Sequence, residues 1–240
     1  MPFERKKGGG AVKKRDWLTL GLWLLMIPTV VIVGGVLFRE KYYAFISLAV
    51  AVLAIVPLFY AFERRGSSAK ELTVLAVLIA LSATGRFIFF WLPGFKPITA
   101  ITVIAAVYLG KEAGFVVGAL SAVVSNFYFG QGPWTPFQML AWGLIGLLAG
   151  VLAKPCKRSR ILLCVFGALA GVLFSLTMDV WSTLWQDNAF NLARYGAAVV
   201  TALPITAEYA VSNVIFLLLL AKPFGEKLDR IRKKYGLFVS

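Results

Sequence analysis

Apolar runs of bilayer length dominate this chain and leave little freedom in what it can fold into. A membrane-crossing helix needs about 20 mainly apolar residues, with a range of roughly 17–25. Eight runs meet or approach that length: Trp17–Phe38, Tyr42–Phe62, Leu72–Leu92, Pro97–Leu109, Ala113–Phe129, Phe137–Ala153, Ile161–Trp185 and Arg194–Ala221. In hydrocarbon every backbone N–H and C=O must be bonded within the protein, so such runs form helices and not open sheets. The sequence therefore predicts an all-α membrane protein with eight spans. The fourth run is too short to cross a hydrocarbon layer of about 30 Å at ~1.5 Å per residue. Either the bilayer thins around it, or it is buried in the bundle and ends inside it. The first run is too long for a signal peptide, and no small-residue cleavage site follows it.

Composition narrows the function. Hydrophobic residues make up 60% of the 240 and charged residues only 15%, against about 25% charged in a soluble domain. That excludes a soluble enzyme, a disordered chain and a nucleic-acid-binding domain. The net charge of +14 comes from 25 Lys+Arg against 11 Asp+Glu, and its placement is informative. With the N-terminus inside, twenty basic residues fall in inner stretches and four, Arg39, Lys41, Lys96 and Arg194, in outer loops. This positive-inside split predicts a multi-pass cell-membrane protein with both termini cytoplasmic, its basic faces meeting anionic lipid. No histidine is present, which removes HExxH zinc sites and Ser-His-Asp or Cys-His catalysis. The two cysteines, Cys156 and Cys164, flank one basic loop without metal-type spacing. No GxxxxGK[ST] motif is present, so the chain has no P-loop for ATP. It reads as a non-enzyme with no metal and no cofactor.

The chain divides at the polar segment Glu63–Glu71. Residues 1–16 read as a basic cytoplasmic tail, Trp17–Phe62 as a two-helix membrane unit without charge in its spans, and 72–240 as a six-helix membrane domain holding the unusual residues. Arg86, Asp179 and Glu208 lie within its spans. An unpaired arginine at mid-bilayer costs at least about 2.5–3.5 kcal/mol, so Arg86 requires a partner or a wet cavity. Three outer loops are rich in aromatics and amides. Phe129–Gln138 has no charge, four turn-forming Gly and Pro residues, Trp134, and the amides Gln131 and Gln138; Asn126 and Tyr128 precede it. Trp91–Pro97 contains a Pro93-Gly94 turn with Phe95 and Lys96, and Trp181–Arg194 adds Trp181 and Trp185. Their convergence on one face suits a large, flat, uncharged ligand edge. Small residues four apart, at Gly110/Gly114/Gly118/Ala122, Gly146/Gly150 and Gly167/Gly171, permit close helix packing. Ala76 and Ala80, at the inner start of the third span, are placed where another subunit could dock.

These residues carry a resemblance. The six-span core of uneven helices, the Ala76-x-x-x-Ala80 pattern, the Phe95-Lys96-Pro97 approach, and Phe129-Gly-Gln-Gly-Pro-Trp-Thr-Pro followed by Trp142-Gly143-Leu144 resemble the substrate-binding S component of energy-coupling factor (ECF) transporters, cobalamin-type or riboflavin-type. The resemblance implies a non-catalytic subunit that captures a vitamin from outside, with partner T and two ATPase subunits driving uptake. It places Ala76 and Ala80 at the partner contact and a cobamide first among ligands, with riboflavin or another vitamin as alternatives. The two N-terminal spans depart from the six-span pattern. The competing expectation is a self-sufficient secondary transporter coupled through Asp179 or Glu208.

Overall fold

The computed structural model describes residues 52, 56, 68–187 and 190–238. The expected spans Trp17–Phe38 and Tyr42–Phe62, and with them the count of eight, lie outside the described residues. Within the described residues the chain is entirely helical: α1 (Ala69–Ile88), α2 (Ile98–Leu109), α3 (Lys111–Phe129), α4 (Thr135–Val151), α5 (Ala153–Arg158), α6 (Arg160–Asp187) and α7 (Leu192–Tyr235). Four of these, α1, α3, α6 and α7, are long and apolar enough to cross a membrane; α2 and α4 are apolar but shorter.

The short second helix settles one of the two alternatives that its length left open. Eleven of its twelve residues are buried, all but Tyr108, and it touches all six of the other described helices. It is the central pillar of the bundle and not a thin-bilayer span. No water-driven hydrophobic force brings helices together within lipid, so close backbone approach has to hold such a bundle. The small-residue pattern supplies it. Gly114 of α3 and Gly146 of α4 lie against each other's backbone, Gly118 lies against the Trp142 carbonyl, and Gly171 of α6 faces the backbone of Tyr209 and Ala210 in α7. A Cβ at any of these would overlap its neighbour. Ala76 and Ala80 do not take part in this packing: both are exposed on the outer face of α1.

Helix ends follow local chemistry. Ser68 and Glu71 form a capping box at the start of α1, satisfying donors that the first turn leaves open. Asn191 caps α7 through Ala193 N and Arg194 N. Gly110, at φ 111°, makes the single-residue link from α2 to α3, a conformation that favours glycine.

Two boundaries differ from the sequence reading. Helix α1 stops at Ile88, because Phe89–Leu92 turn to enter the loop. Helix α7 does not stop at Ala221 but runs 44 residues to Tyr235. Its last part is amphipathic: Gly225 and Leu228 are buried, Lys157 pairs with Asp229 at 3.3 Å, and Arg232 donates to the Tyr108 carbonyl. Beyond it, buried Leu237 and Phe238 fold back to the start of α1, where Phe238 N donates to Glu71 Oε1.

Candidate functional site

A cavity of about 170 Å³ opens at the end of the bundle opposite these basic segments. Six elements build it. Arg86 comes from the last turn of α1, Pro93, Gly94 and Lys96 from the α1–α2 loop, and Ile98 and Thr99 from the first turn of α2. Helices α4, α6 and α7 each give a pair four residues apart: Gln138 and Trp142, Phe174 and Met178, Tyr209 and Asn213. Residues at i and i+4 share a helix face, so each of these helices turns one continuous strip toward the same space.

The walls are aromatic. The Trp142 indole stacks on the Phe174 ring with centroids 4.5 Å apart and planes 21° apart, and Tyr209 meets Phe174 edge-on at 5.3 Å. Trp142 is held by its Nε1 donating to Thr99 Oγ1 at 3.1 Å, which satisfies a polar group that is 4% exposed.

The polar groups are held as firmly. Arg86 donates through one Nη to Ser125 Oγ at 2.6 Å and Asn126 Oδ1 at 2.7 Å, and its guanidinium lies 4.5 Å from the Phe129 ring centroid and 5.4 Å from that of Trp142. Hydrogen bonds to a charged group contribute about 1.5–3 kcal/mol each, enough for two to offset the cost of placing the cation here. Asn126 passes the arrangement on: its amide donates to Thr135 Oγ1 at 3.0 Å and Gln138 Oε1 at 2.7 Å, and Thr135 Oγ1 donates to Gln131 Oε1. A continuous polar chain thus runs from the α3–α4 loop to the cavity wall.

The α1–α2 loop is latched to α7 and to itself. Lys96 N donates to Ser212 Oγ at 2.9 Å and Ser212 Oγ donates back to Lys96 O at 3.3 Å. Lys96 Nζ closes the turn by donating to the carbonyls of Leu92 and Pro93. Burial holds its ammonium below the ordinary lysine value; nearby Arg86 adds to this and Glu208 opposes it.

Of the residues that the sequence nominated, Arg86, Lys96, Gln138 and Trp142 line the cavity. The others stand behind or away from it. Asn126 is 1% exposed and positions Arg86 and Gln138. Gln131 is spent on the Val123 carbonyl and on Thr135. Trp134 is 36% exposed on the loop, its ring over Gly132. Tyr128 is exposed and packs on Phe87. Phe95 belongs to an aromatic cluster with Phe89 and Phe216. Trp181 packs with Phe137 and Trp185, the latter exposed. Glu208 leans over Gly94 at the rim, and Asp179 lies in the second half of α6 outside the lining. Sequence reasoning missed Thr99, Phe174, Met178, Tyr209 and Asn213. The i, i+4 spacing of Tyr209 and Asn213 beside Glu208 was the one signal available for the last pair.

What the site can do is set by the atoms still free. Among the described residues no hydrogen bond engages the Tyr209 hydroxyl, the Gln138 amide nitrogen or the Asn213 side-chain oxygen. Asn213 uses only its amide nitrogen, on the Gly167 carbonyl. The cavity therefore offers stacking walls and an uncommitted polar edge, with no nucleophile–base pair and no group of metal ligands among the described residues.

Comparison with known proteins identifies relatives of this chain. The family model described as ECF-type riboflavin transporter, S component, matches residues 66–230. A UPF0397 protein of Aliivibrio salmonicida is 31% identical over 153 residues, covering 62% of this chain and 80% of that protein. UPF0397 proteins of Vibrio atlanticus and Aliivibrio fischeri are each 32% identical, over 95 and 89 residues, covering 38% and 35% of this chain and about half, 52% and 48%, of their own lengths. No solved structure matches.

Proposed function

The chain belongs to the family of ECF-type riboflavin transporter S components, a multi-pass membrane subunit that binds substrate for a vitamin importer, and we propose that it captures a planar heteroaromatic vitamin in the cavity between Trp142 and Tyr209. The stacked Trp142–Phe174 wall carries this reading. A flat ring inserted beside it gains aromatic contact worth about 0.5–1.5 kcal/mol beyond its area. The free atoms of Gln138, Tyr209 and Asn213 then meet its heteroatoms.

Size ranks the candidates. Pockets for drug-sized ligands measure roughly 300–1,000 Å³, and this one is about 170 Å³. The space favours a bicyclic or tricyclic ring, with any side chain emerging between the α1–α2 and α3–α4 loops. A flavin is the first ligand class to test. A cobamide, which the GQGPWTP stretch favours by resemblance, ranks behind it because a corrin would have to displace the latched Lys96 loop. In this reading the ligand enters from outside, Ala76 and Ala80 on the exposed face of α1 meet a T component, and two ATPases drive release inward. Coupling of a secondary transporter through Asp179 or Glu208 draws no support from the cavity, whose lining contains neither carboxylate.

The test is to purify the protein from cells grown in vitamin-rich medium and record the absorption spectrum and mass of what it carries. A bound flavin or other planar heterocycle is expected. A corrin spectrum would move the assignment to the cobamide, and a non-aromatic ligand would remove the role given to the Trp142 wall. Reconstitution separates the transport readings: the protein alone in proteoliposomes with an ion gradient is expected to be inert, and active only with T and ATPase subunits.

A further inference from the structure

The cavity lining holds two cations, Arg86 and Lys96, and no carboxylate. Neither forms an ion pair among the described residues. Arg86 is satisfied by neutral oxygens and aromatic faces, and Lys96 by two carbonyls. Each keeps N–H donors in reserve, since the bonds of Arg86 use a single nitrogen and those of Lys96 two of three protons. The other free groups are mostly donors as well: the Gln138 amide and the Tyr209 hydroxyl. Glu208, the nearest acid, packs over Gly94 at the rim and makes no ion pair with either cation. Two positive residues in the lining of one cavity attract a negative group more strongly than they would in open water, and repel a cationic one.

From this we infer that the ligand carries an acidic oxyanion, a carboxylate or a phosphate, which seats between Arg86 and Lys96 while its ring lies along Trp142. The inference rests on the planar-ligand reading for the position of the ring, and on the two unpaired cations for the charge. Arginine suits the role because its guanidinium presents fixed, parallel donors to an oxyanion, and here Ser125 and Asn126 fix its orientation in advance. The Lys96 ammonium, held by the turn it closes, completes the seat from the α1–α2 loop. A ligand of this class is recognised at both ends, by shape at the ring and by charge at the acid.

Pairs that differ by one acidic group test this. The full chain in lipid nanodiscs is titrated with riboflavin and riboflavin 5′-phosphate, with nicotinamide and nicotinate, and with pantothenate as a carboxylate without an aromatic ring. At least one anionic member is expected to bind about tenfold or more tightly than its neutral partner, and Lys96→Gln and Arg86→Gln are each expected to cut that ratio to below about threefold. If Arg86→Gln does not fold, Lys96→Gln alone decides. A neutral partner that binds as tightly in both pairs, an anion preference that survives Lys96→Gln, or no binding by any anionic probe overturns the inference. Equal binding of riboflavin and its phosphate would leave the planar-ligand reading standing. Binding of pantothenate alone would keep the oxyanion seat and remove the ring assignment.

Discussion

Arg86 donates to the side-chain oxygen of Asn126 at 2.7 Å, and the same amide donates from its other end to Thr135 and Gln138. One buried carboxamide thus fixes a cavity cation, a cavity amide and the first turn of α4. Asn126→Leu leaves these groups without their partner, at about 1–3 kcal/mol for each buried group left unsatisfied. The variant is expected to melt several degrees lower and to bind its vitamin about tenfold or more weakly. Asn126→Asp should restore the Arg86 contact but not the two donors, and fall in between. Unchanged melting and binding in Asn126→Leu would show that the polar chain does not hold the site.

Trp142 and Trp134 separate the wall from the loop. Trp142→Ala removes the stacking face and orphans Thr99, and is expected to weaken binding by more than about tenfold. Trp142→Phe keeps the face without the Thr99 bond and should lose less. Trp134→Ala, on an exposed loop position outside the lining, is expected to change affinity by less than about threefold. Equilibrium titration on folded variants decides between them, and the reverse ranking would move the site outward to the loop.

The GQGPWTP stretch draws attention to Trp134, Gln131 and Gln138 together, yet only Gln138 reaches the cavity. Loop composition reveals that a segment is built to hold a shape, but not which atoms its own shape will consume: Gln131 is spent on Val123 and Thr135. The helices were legible because apolar runs and paired small residues are local signals. The second helix was legible as too short to span, but its length left a thinned bilayer and burial in the bundle equally open, and only its packing decides for burial. Phe174, Met178 and Tyr209 were not, since an aromatic or a methionine in an apolar span has no sequence pattern that separates cavity wall from lipid face; only the crossing of α4, α6 and α7 assigns them. The extension of α7 to Tyr235 escaped for a related reason. Its last turns are amphipathic and charged, so a search for apolar runs ends at Ala221.

Ala80→Trp tests the outer face of α1. Ala76 and Ala80 are exposed and pack against none of the described helices' cores, so a bulky side chain there is accommodated within the isolated subunit. Ligand binding is expected to stay within about threefold, while ATP-driven uptake by the reconstituted complex is lost. Retained uptake would place the partner contact elsewhere.

Glu71 serves the start of α1 twice, accepting from Ser68 N at 3.0 Å and from Phe238 N. Glu71→Ala breaks the capping box and the tether to the chain end together. Loss of a cap costs about 0.5–2 kcal/mol, so the variant should melt a few degrees lower; removal of 236–240 also takes buried Leu237 and Phe238 out of the core and should lower the melting temperature further. An unchanged melting temperature in Glu71→Ala would show that neither contact holds the start of α1.

Topology is accessible through cysteine chemistry. Burial pushes the Cys156 thiol above its ordinary value, so at neutral pH its reactive thiolate is scarcer than usual and its background labelling low. With Cys164 replaced, a membrane-impermeant maleimide added to intact cells is expected to label Phe190→Cys, before α7, and to miss Arg158→Cys at the end of α5. The opposite pattern would invert the orientation drawn from the basic residues.

The central position of α2 also bears on how the protein reaches the bilayer. Twelve residues rise about 18 Å, which leaves some 12 Å of a 30 Å hydrocarbon layer unbridged, so this helix has no stable residence in lipid by itself. Gly110 joins it to α3 without an intervening loop. The pair therefore has to enter during synthesis as one hairpin, with α3 supplying the anchor. Ribosomes paused after Leu109 would hold a segment with nowhere to stay, and the pillar of the bundle becomes committed only when the helix that follows it has been made.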